Sequence, residues 1–600
     1  MPNKPISAIE QVNLGGLSDS KFSGVKYSVY KLLGIDLHTT PGILQARQAL
    51  AKVSATTVTG LCKVRVSCSD GNSYWFDSQS GKVWKVTAAG TTTLVHTTTP
   101  DKGDAYCLGA AEYYGYIYWA TQKRLHRIPI SGLSDWSTNA SEDWAQLNLD
   151  QELIATGQTY TLTTGVNEGA THIQQFVPAK NPCEAVALNV GAKGTGNWTV
   201  LVHNSANSVV GTVTVTNANM ATGWYIFTFS SSFTPVLGDT YHIHAYSTVA
   251  DGTVVTGTTV DFETAAFRTY TDSDADFHPM KVQNLILFIG DQNMIHQVED
   301  NTFTKDALDI KEPLRIKCLG TYMTDILLGT YVSDNVNQTE VYRWNTFSGS
   351  FTNSDPIPEM GINAFFESDN FVFVSAGLYG NIYVYNGEVL DLYKKVPGDY
   401  SPTKEATIHP NAVGNLGNLI LFGVSNSTGN PCEQGVYVIG RHNRNYPFVM
   451  DLSFPISERS GGAFVTSSIE IGAILVMGYD VFVSWKNGST YGIDKLDYST
   501  KLSGAYIESR VQTVEREMLQ TFAKIVVPYA SLPASTSVAI GYDVNYTGSY
   551  TTTTDNKDDT GRKIISAEDS PEGTVIQIKL TLTTSSNNSP QIESAAIIPS

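Results

Sequence analysis

The chain is 600 residues long, 42% hydrophobic and only 16% charged, with a formal net charge of -18 at pH 7. Charged residues usually make up about 25% of a soluble chain, so Ser, Thr, Asn and Gly must cover much of the surface, which argues against a coiled coil or helical solenoid. The hydrophobic content excludes a disordered chain, and at about 100 to 200 residues per domain the length gives three or four units.

No apolar run reaches the roughly 18 residues a membrane helix needs, and Met1-Pro2-Asn3-Lys4-Pro5 lacks the apolar stretch of a secretory signal. No membrane insertion is expected, and the chain is expected to be made in the cytoplasm. With 39 Lys and Arg against 57 Asp and Glu, phosphates find little to grip, so sequence-specific nucleic-acid binding is not expected. The six cysteines (Cys62, Cys68, Cys107, Cys183, Cys318, Cys432) are scattered without a CxxC pair. They read as buried small hydrophobes rather than as zinc ligands or a disulfide framework.

The first 50 residues, punctuated by Gly15-Gly16 and Thr39-Thr40-Pro41-Gly42, carry short apolar pieces that could not form a core alone, and are read as an N-terminal arm. From residue 51 a unit recurs: an alternating apolar strand, a turn of Gly, Asn or Asp, and a second strand bearing Tyr or Trp. Ser73-Tyr74-Trp75-Phe76 with Gly81 to Val86 is the first copy, and Gly115 to Ala120 with Arg124 to Ile128 the second. Further copies start at Leu285, Asp325, Phe371 and Asn418, and a less regular one at Ile474. Their spacing of roughly 40 to 55 residues is that of a four-stranded propeller blade. The expected fold class is therefore all-β: a β-propeller of about seven blades, divided between 51–150 and 269–503.

Between the second and third copies lies room for an insert, residues 151–268, rich in Thr and short strands with turns at Gly194-Thr195-Gly196-Asn197 and Gly238-Asp239. It reads as a jelly-roll β-sandwich. After the last copy, residues 504–600 carry strands at Lys524 to Pro528, Ser537 to Tyr542 and Val575 to Leu582, and read as a C-terminal β-sandwich.

Three segments carry a resemblance. Asn13-Leu14-Gly15-Gly16-Leu17-Ser18-Asp19-Ser20-Lys21 with Gly34 to His38 and Pro41-Gly42-Ile43-Leu44 forms one. Asp276-Phe277-His278-Pro279-Met280 leading into Leu285 to Asp291 forms the second, and Ser589-Pro590-Gln591-Ile592 through Ile598 the third. Together they resemble propeller-bearing virion proteins of tailed bacteriophages, of the tail nozzle or tail-tip type. The resemblance implies a structural protein of the phage tail, assembled in the host cytoplasm as a homo-oligomeric ring around the DNA exit channel, with neighbouring tail proteins as partners. An acidic wall suits such a conduit, since like charge keeps the genome from sticking during ejection.

Candidates for chemistry are few. The carboxylates Asp291, Asp325, Glu367, Asp369 and Asp480 sit in blade turns, where Asp bonds its own backbone. A sialidase-like reading would need an arginine cluster, and Arg343, Arg441 and Arg444 do not recur at equivalent positions. Asp272-Ser273-Asp274-Ala275-Asp276 has the alternating acids of a calcium loop, but Phe277 and Gln283 break the EF-hand pattern. His242-Ile243-His244 puts two imidazoles on one strand face without a third ligand. No nucleophile elbow, Walker loop or HExxH is present. No enzymatic activity, cofactor or metal is expected. The alternative to the nozzle is a peripheral glycan-binding fibre or decoration protein for host attachment. Trp198, Trp224 and Tyr241 of the insert would then form the sugar-stacking platform and a host surface glycan would be the partner.

Overall fold

The computed structural model describes residues 6–598 except 19, 54–57, 99–105, 154–157, 165–171, 179–181, 257–264, 272–274, 333–335, 369–370, 399, 427–433, 459–468, 514–519, 522–523, 546, 556–560 and 566–571. The chain divides into two compact units. One comprises residues up to 121, 126–142 and 276 onward, and the other 122–125 with 143–275. Nearly all regular structure is antiparallel β-sheet, as expected, and no helix among the described residues is long and apolar enough to cross a membrane.

Seven four-stranded antiparallel sheets follow one another in the first unit, six of them built on consecutive strands. Their first strands are Cys62–Ser67, Gly109–Tyr113, Met280–Gln283, Arg315–Tyr322, Ile362–Glu367, Val413–Leu416 and Ile469–Met477. The first strand of each sheet packs against that of the next, and Ile469–Met477 packs back on Cys62–Ser67, so the contacts close on themselves. Middle strands such as Val372–Ala376, second in its sheet, and Gly435–Gly440, third in its sheet, are buried at every position, because each is covered by a neighbouring sheet on both faces. Between successive sheets lie separate apolar clusters. Tyr74, Phe76, Ile117 and Trp119 fill one, Phe288, Leu328 and Trp344 another, and Trp75, Trp84, Phe482 and Ile493 join the seventh sheet to the first.

The seventh sheet has only three strands of its own, and Gln48–Lys52 supplies the fourth, pairing antiparallel with Thr490–Lys501 through Leu50 opposite Leu496. The expected separate arm over residues 1–50 is therefore corrected. Its apolar pieces find partners at the other end of the chain, because none has enough surface to bury against its own neighbours. Ile6–Ile9 pairs with Ala595–Ile598. Lys31–Leu33 lies between Val449–Phe454 of the sixth sheet, in parallel, and Ala505–Glu508, antiparallel, so that one continuous sheet runs from the sixth meander into the C-terminal strands.

One core accordingly holds Ile9, Leu32 and Leu33 with Leu452, Tyr506 and Ile578. Buried ionisable groups in this region meet partners of opposite type. His38 Nε2 meets Asp451 Oδ2 at 2.8 Å, and Arg47 lies 3.3 Å from Asp36. Burial of Asp36 opposes its ionisation, but Arg47, Thr39 and the backbone N–H groups of His38 and Thr39 outweigh that and hold its pKa below the ordinary carboxylate value.

The second unit is two antiparallel sheets on a common core. One runs Leu149–Leu153, Phe267–Thr271, Cys183–Ala192, Thr253–Thr256 and Gln158–Thr161 in pairing order, with Gly223–Phe233 also pairing with Cys183–Ala192, and the other runs His172–Phe176, Tyr241–Ser247, Trp198–His203 and Val209–Val215. Alternation sends Trp198, Val200 and Val202 from one sheet and Val186, Leu188 and Phe227 from the other into the shared interior.

Leu33 is 1% exposed and sits where three strands meet. Leu33→Ala is expected to cost about 2 to 5 kcal/mol, read as a lowered melting temperature of the full chain, whereas Val282→Ala, at a half-open position, leaves the melting curve within error of wild type.

Candidate functional site: a basic cavity where the first strands begin

The first strands differ from the second strands they pair with. Cys62–Ser67 alternates: Val64 and Val66 are buried between sheets, while Lys63 and Arg65 keep part of their surface open. Arg315–Tyr322 repeats this, with Ile316 and Cys318 buried and Lys317 on the opposite face. A side-chain period of two thus lines the inner face of the ring with polar and charged residues.

Where several of these strands begin, a cavity of about 470 Å³ opens between sheets one, two, three, four and six. Lys63, Lys317, His409, Asn411, Asp276 and Phe277 are among the side chains lining it. Lys317 Nζ donates to Asn363 Oδ1 at 2.7 Å and stands 5.4 Å from the centre of the Phe277 ring. Asn411 donates to the Lys63 carbonyl oxygen at 3.0 Å, and the Tyr331 hydroxyl donates to Asp276 Oδ2 at 3.2 Å. Among the described residues neither Lys63 nor Lys317 forms an ion pair, and neither the Lys63 ammonium nor the His409 imidazole has a hydrogen-bond partner.

The other axial cations are satisfied. Lys281 and Lys486 bind Glu367 and Glu470 at 2.7 and 2.9 Å, and Arg65 donates to the carbonyls of Ile474 and Val413.

This setting presses on the charges. Burial drives Lys317 down to about 8, with Lys63 adding repulsion against weaker attraction from Cys318 and Asp276. Burial likewise lowers Lys63, with Glu470 opposing, and takes His409 to about 3, helped by Lys63 and Lys317. His409 is therefore a neutral imidazole at pH 7, beside two ammonium groups. Cavity surface still touches these groups, but protein surrounds them on the remaining sides, and so desolvation dominates. The nearby thiol of Cys318 is pushed up to about 12 by burial, which keeps it an unreactive thiol.

Sequence reasoning singled out neither lysine, nor His409, nor Asn411. A signal existed. His409-Pro410 enters the sixth sheet as His278-Pro279 enters the third, each a few residues before an Asn-Leu turn and an apolar strand. The two histidines then diverge: His278 is fully buried, its Nδ1 3.0 Å from the Gly290 carbonyl oxygen, while His409 faces the cavity.

The carboxylates named from the sequence are spread over several sheets and do not converge on one site. Asp291 is buried between His278 and His296, 3.2 Å from the latter. Asp325 binds Arg343 at 2.6 Å and Asp480 binds Lys495 at 3.1 Å. Asp369, Cys432 and residues 272–274 of the acidic loop lie outside the described residues, and the other five cysteines are buried as free thiols. Among the described residues no group of three His, Cys, Asp or Glu is placed to hold a metal ion. His244 stacks on His203 at 4.2 Å.

The aromatic platform expected in the second unit is corrected as well. Trp198 is 0% exposed, its indole N–H donating to the Lys193 carbonyl, and Tyr241 is buried with its hydroxyl bound by Val236 N–H. Trp224 is half-buried on the other face of its sheet, under the Arg268 guanidinium at 4.2 Å. The three rings do not share a surface, because period-two alternation puts the first two into the core.

No protein-family model matches the sequence, and no curated protein matches it. Among solved structures, the chain is similar to a streptogramin B lyase, with 9% identity, 75% of this chain and 97% of that one covered, and a TM-score of 0.36. A Pan2 WD40 domain from Neurospora crassa is similar at 8% identity over 77% and 99%, also at 0.36. An exo-beta-1,3-galactanase from Phanerochaete chrysosporium covers 53% and 95% at 9% identity, with a TM-score of 0.23.

Because Lys317 is held below its ordinary pKa, its charged form costs the folded state stability at every pH below about 8. That cost fades as pH rises from about 8 toward the unfolded value of about 10.5. Lys317→Met is expected to stabilise the protein by roughly 1 to 3 kcal/mol at pH 7, with the gain shrinking at pH 9 to 10. Melting temperatures of both proteins across that range check it.

Proposed function

We propose that the chain is a structural component of a tailed-phage virion: a tail nozzle or tail-tip protein, several copies of which form a ring around the DNA exit channel. In this reading the seven sheets are the blades of a closed β-propeller. The second unit, whose strand orders are those of two interlocked Greek keys, is its inserted jelly roll, and the C-terminal strands with the N-terminal segment form a closing sandwich.

The observation that carries an assembly role is a set of apolar hairpin tips. Tyr114, Leu285, Met323 and Tyr479 occupy the two-residue turns joining first and second strands in sheets two, three, four and seven, and are 59, 86, 73 and 83% exposed. Neighbouring tips touch: the Tyr113 hydroxyl donates to the Leu285 carbonyl at 2.8 Å, and Gln283 donates to that of Met323 at 3.3 Å. They therefore share the end of the ring opposite the cavity. Tyr114, Leu285 and Met323 also have φ of 47, 63 and 55°, where a side chain costs about 1 to 2 kcal/mol relative to glycine. Asn-Gly would suit such turns better. Large apolar residues held in that conformation and shown to water are a docking face for a neighbouring tail subunit. The net charge of -18 supports a conduit wall that repels the genome.

A map of the intact particle is expected to show this chain as a closed ring on the tail axis; isolated copies on the exterior would sink the proposal. Leu285→Asp with Met323→Asp is expected to cut incorporation into particles at least tenfold. The isolated chain should melt no lower than wild type, because both turns tolerate Asp better than the native residues.

A further inference from the structure

The basic cavity lies at the other end of the ring from the apolar tips, and the assembly role makes no use of it. Two ammonium groups without carboxylate partners line a space of about 470 Å³ in a chain that carries 18 more negative than positive charges. Isolated buried charge is costly, and proteins normally pair it or neutralise it. Every other axial cation named above has its carboxylate or carbonyl. An anion would supply what Lys63 and Lys317 lack.

The remaining walls narrow the choice. Asn411, Ser78 and Gln79 offer neutral hydrogen-bonding groups, while Phe277, Met280 and Leu319 offer apolar surface. Bare inorganic anions would leave those walls unused. The volume lies in the range of small-molecule sites rather than of single ions. His409, neutral and without a partner among the described residues, can donate or accept one further hydrogen bond. Asp276 also lines the cavity, with one oxygen accepting from the Tyr331 hydroxyl and its charge acting weakly on Lys317.

We propose that this cavity binds a compact organic oxyanion, a carboxylate or phosphate ester of monosaccharide size, with Lys63 and Lys317 on its charged group and His409 and Asn411 on its neutral body. Because these four residues come from sheets one, four and six, the bound anion ties those three sheets together. Ligand binding to the folded form alone raises the melting temperature by mass action.

Isothermal titration and thermal melting of the full chain with glucose 6-phosphate, glucuronate, citrate and inorganic phosphate, against glucose as the neutral control, test this. At least one of the two sugar-sized anions is expected to bind and to raise the melting temperature, more tightly than inorganic phosphate, with glucose inert. Which of them binds separates a phosphate ester from a carboxylate. Affinity is expected to fall about tenfold from pH 7 to pH 9 as Lys317 loses its proton, a readout that needs no variant. Lys63→Met with Lys317→Met is expected to abolish binding while the protein stays folded. No binding by any anion, equal binding of glucose, or affinity unchanged by pH and by the double substitution would each overturn the proposal.

Discussion

Closure of the ring depends on a strand from the far end of the chain. Gln48–Lys52 completes the seventh sheet by pairing with Thr490–Lys501, more than four hundred residues later. Without it the 12-residue strand Thr490–Lys501 would be the sheet's edge and offer its unpaired N–H and C=O groups to wrong partners, whereas Gln48–Lys52 ends the sheet on a strand of only 5 residues. The separation itself costs little, since closing a loop grows only logarithmically with its length, about 0.6 kcal/mol per doubling. What makes the pairing specific is local. Leu50 faces Leu496, and Lys52 reaches over the Trp485 ring at 5.1 Å. On the other side of the junction, Trp75 and Trp84 of the first sheet share a cluster with Phe482 and Ile493 of the seventh. The chain thus fastens its ring with both backbone and side chains.

The same N-terminal stretch couples the ring to the C-terminal strands. Lys31–Leu33 is parallel to one neighbour and antiparallel to the other, the one place among the described residues of the first unit where a strand bridges the sixth meander and the C-terminal strands. Buried pairs pin it: Asp36 with Arg47, and His38 with Asp451. A rigid joint of this kind gives the first unit a fixed shape rather than two modules on a linker. Asp36, whose pKa is depressed, contributes stability that is present above the ordinary carboxylate value and is lost as pH falls through the lowered one.

Legibility followed burial. The second and third strands of each sheet are covered on both faces, so they are apolar runs such as Leu285 to Gly290 or Asn418 to Gly423, and these stood out in the sequence. Outer strands such as Thr302–Asp309, half open to solvent, carry Thr, Lys and Asp and left little trace. Inner strands alternate apolar with charged residues, and Lys63, Arg65 and Lys317 read as ordinary surface positions. The cavity was therefore invisible, because it is made of single residues from strands far apart in sequence and defined only once the ring is closed. The N-terminal segment misled for a related reason. Its apolar pieces are too short to show a period, and their partners lie hundreds of residues away. Trp198 and Tyr241, by contrast, carry the alternation that places them inside.

Two ends of one ring now carry opposite chemistry, and the physical costs at each are of different kinds. At the tips the expense is conformational and hydrophobic: left-handed φ at Tyr114, Leu285 and Met323, and apolar surface in water. At the cavity it is electrostatic: ammonium groups kept from solvent and from carboxylates. Neither cost contributes to closing the ring, since glycine or asparagine in the turns and methionine in place of the lysines would close it at least as well. Both would be relieved by the partners proposed above, a protein surface at one end and an anion at the other.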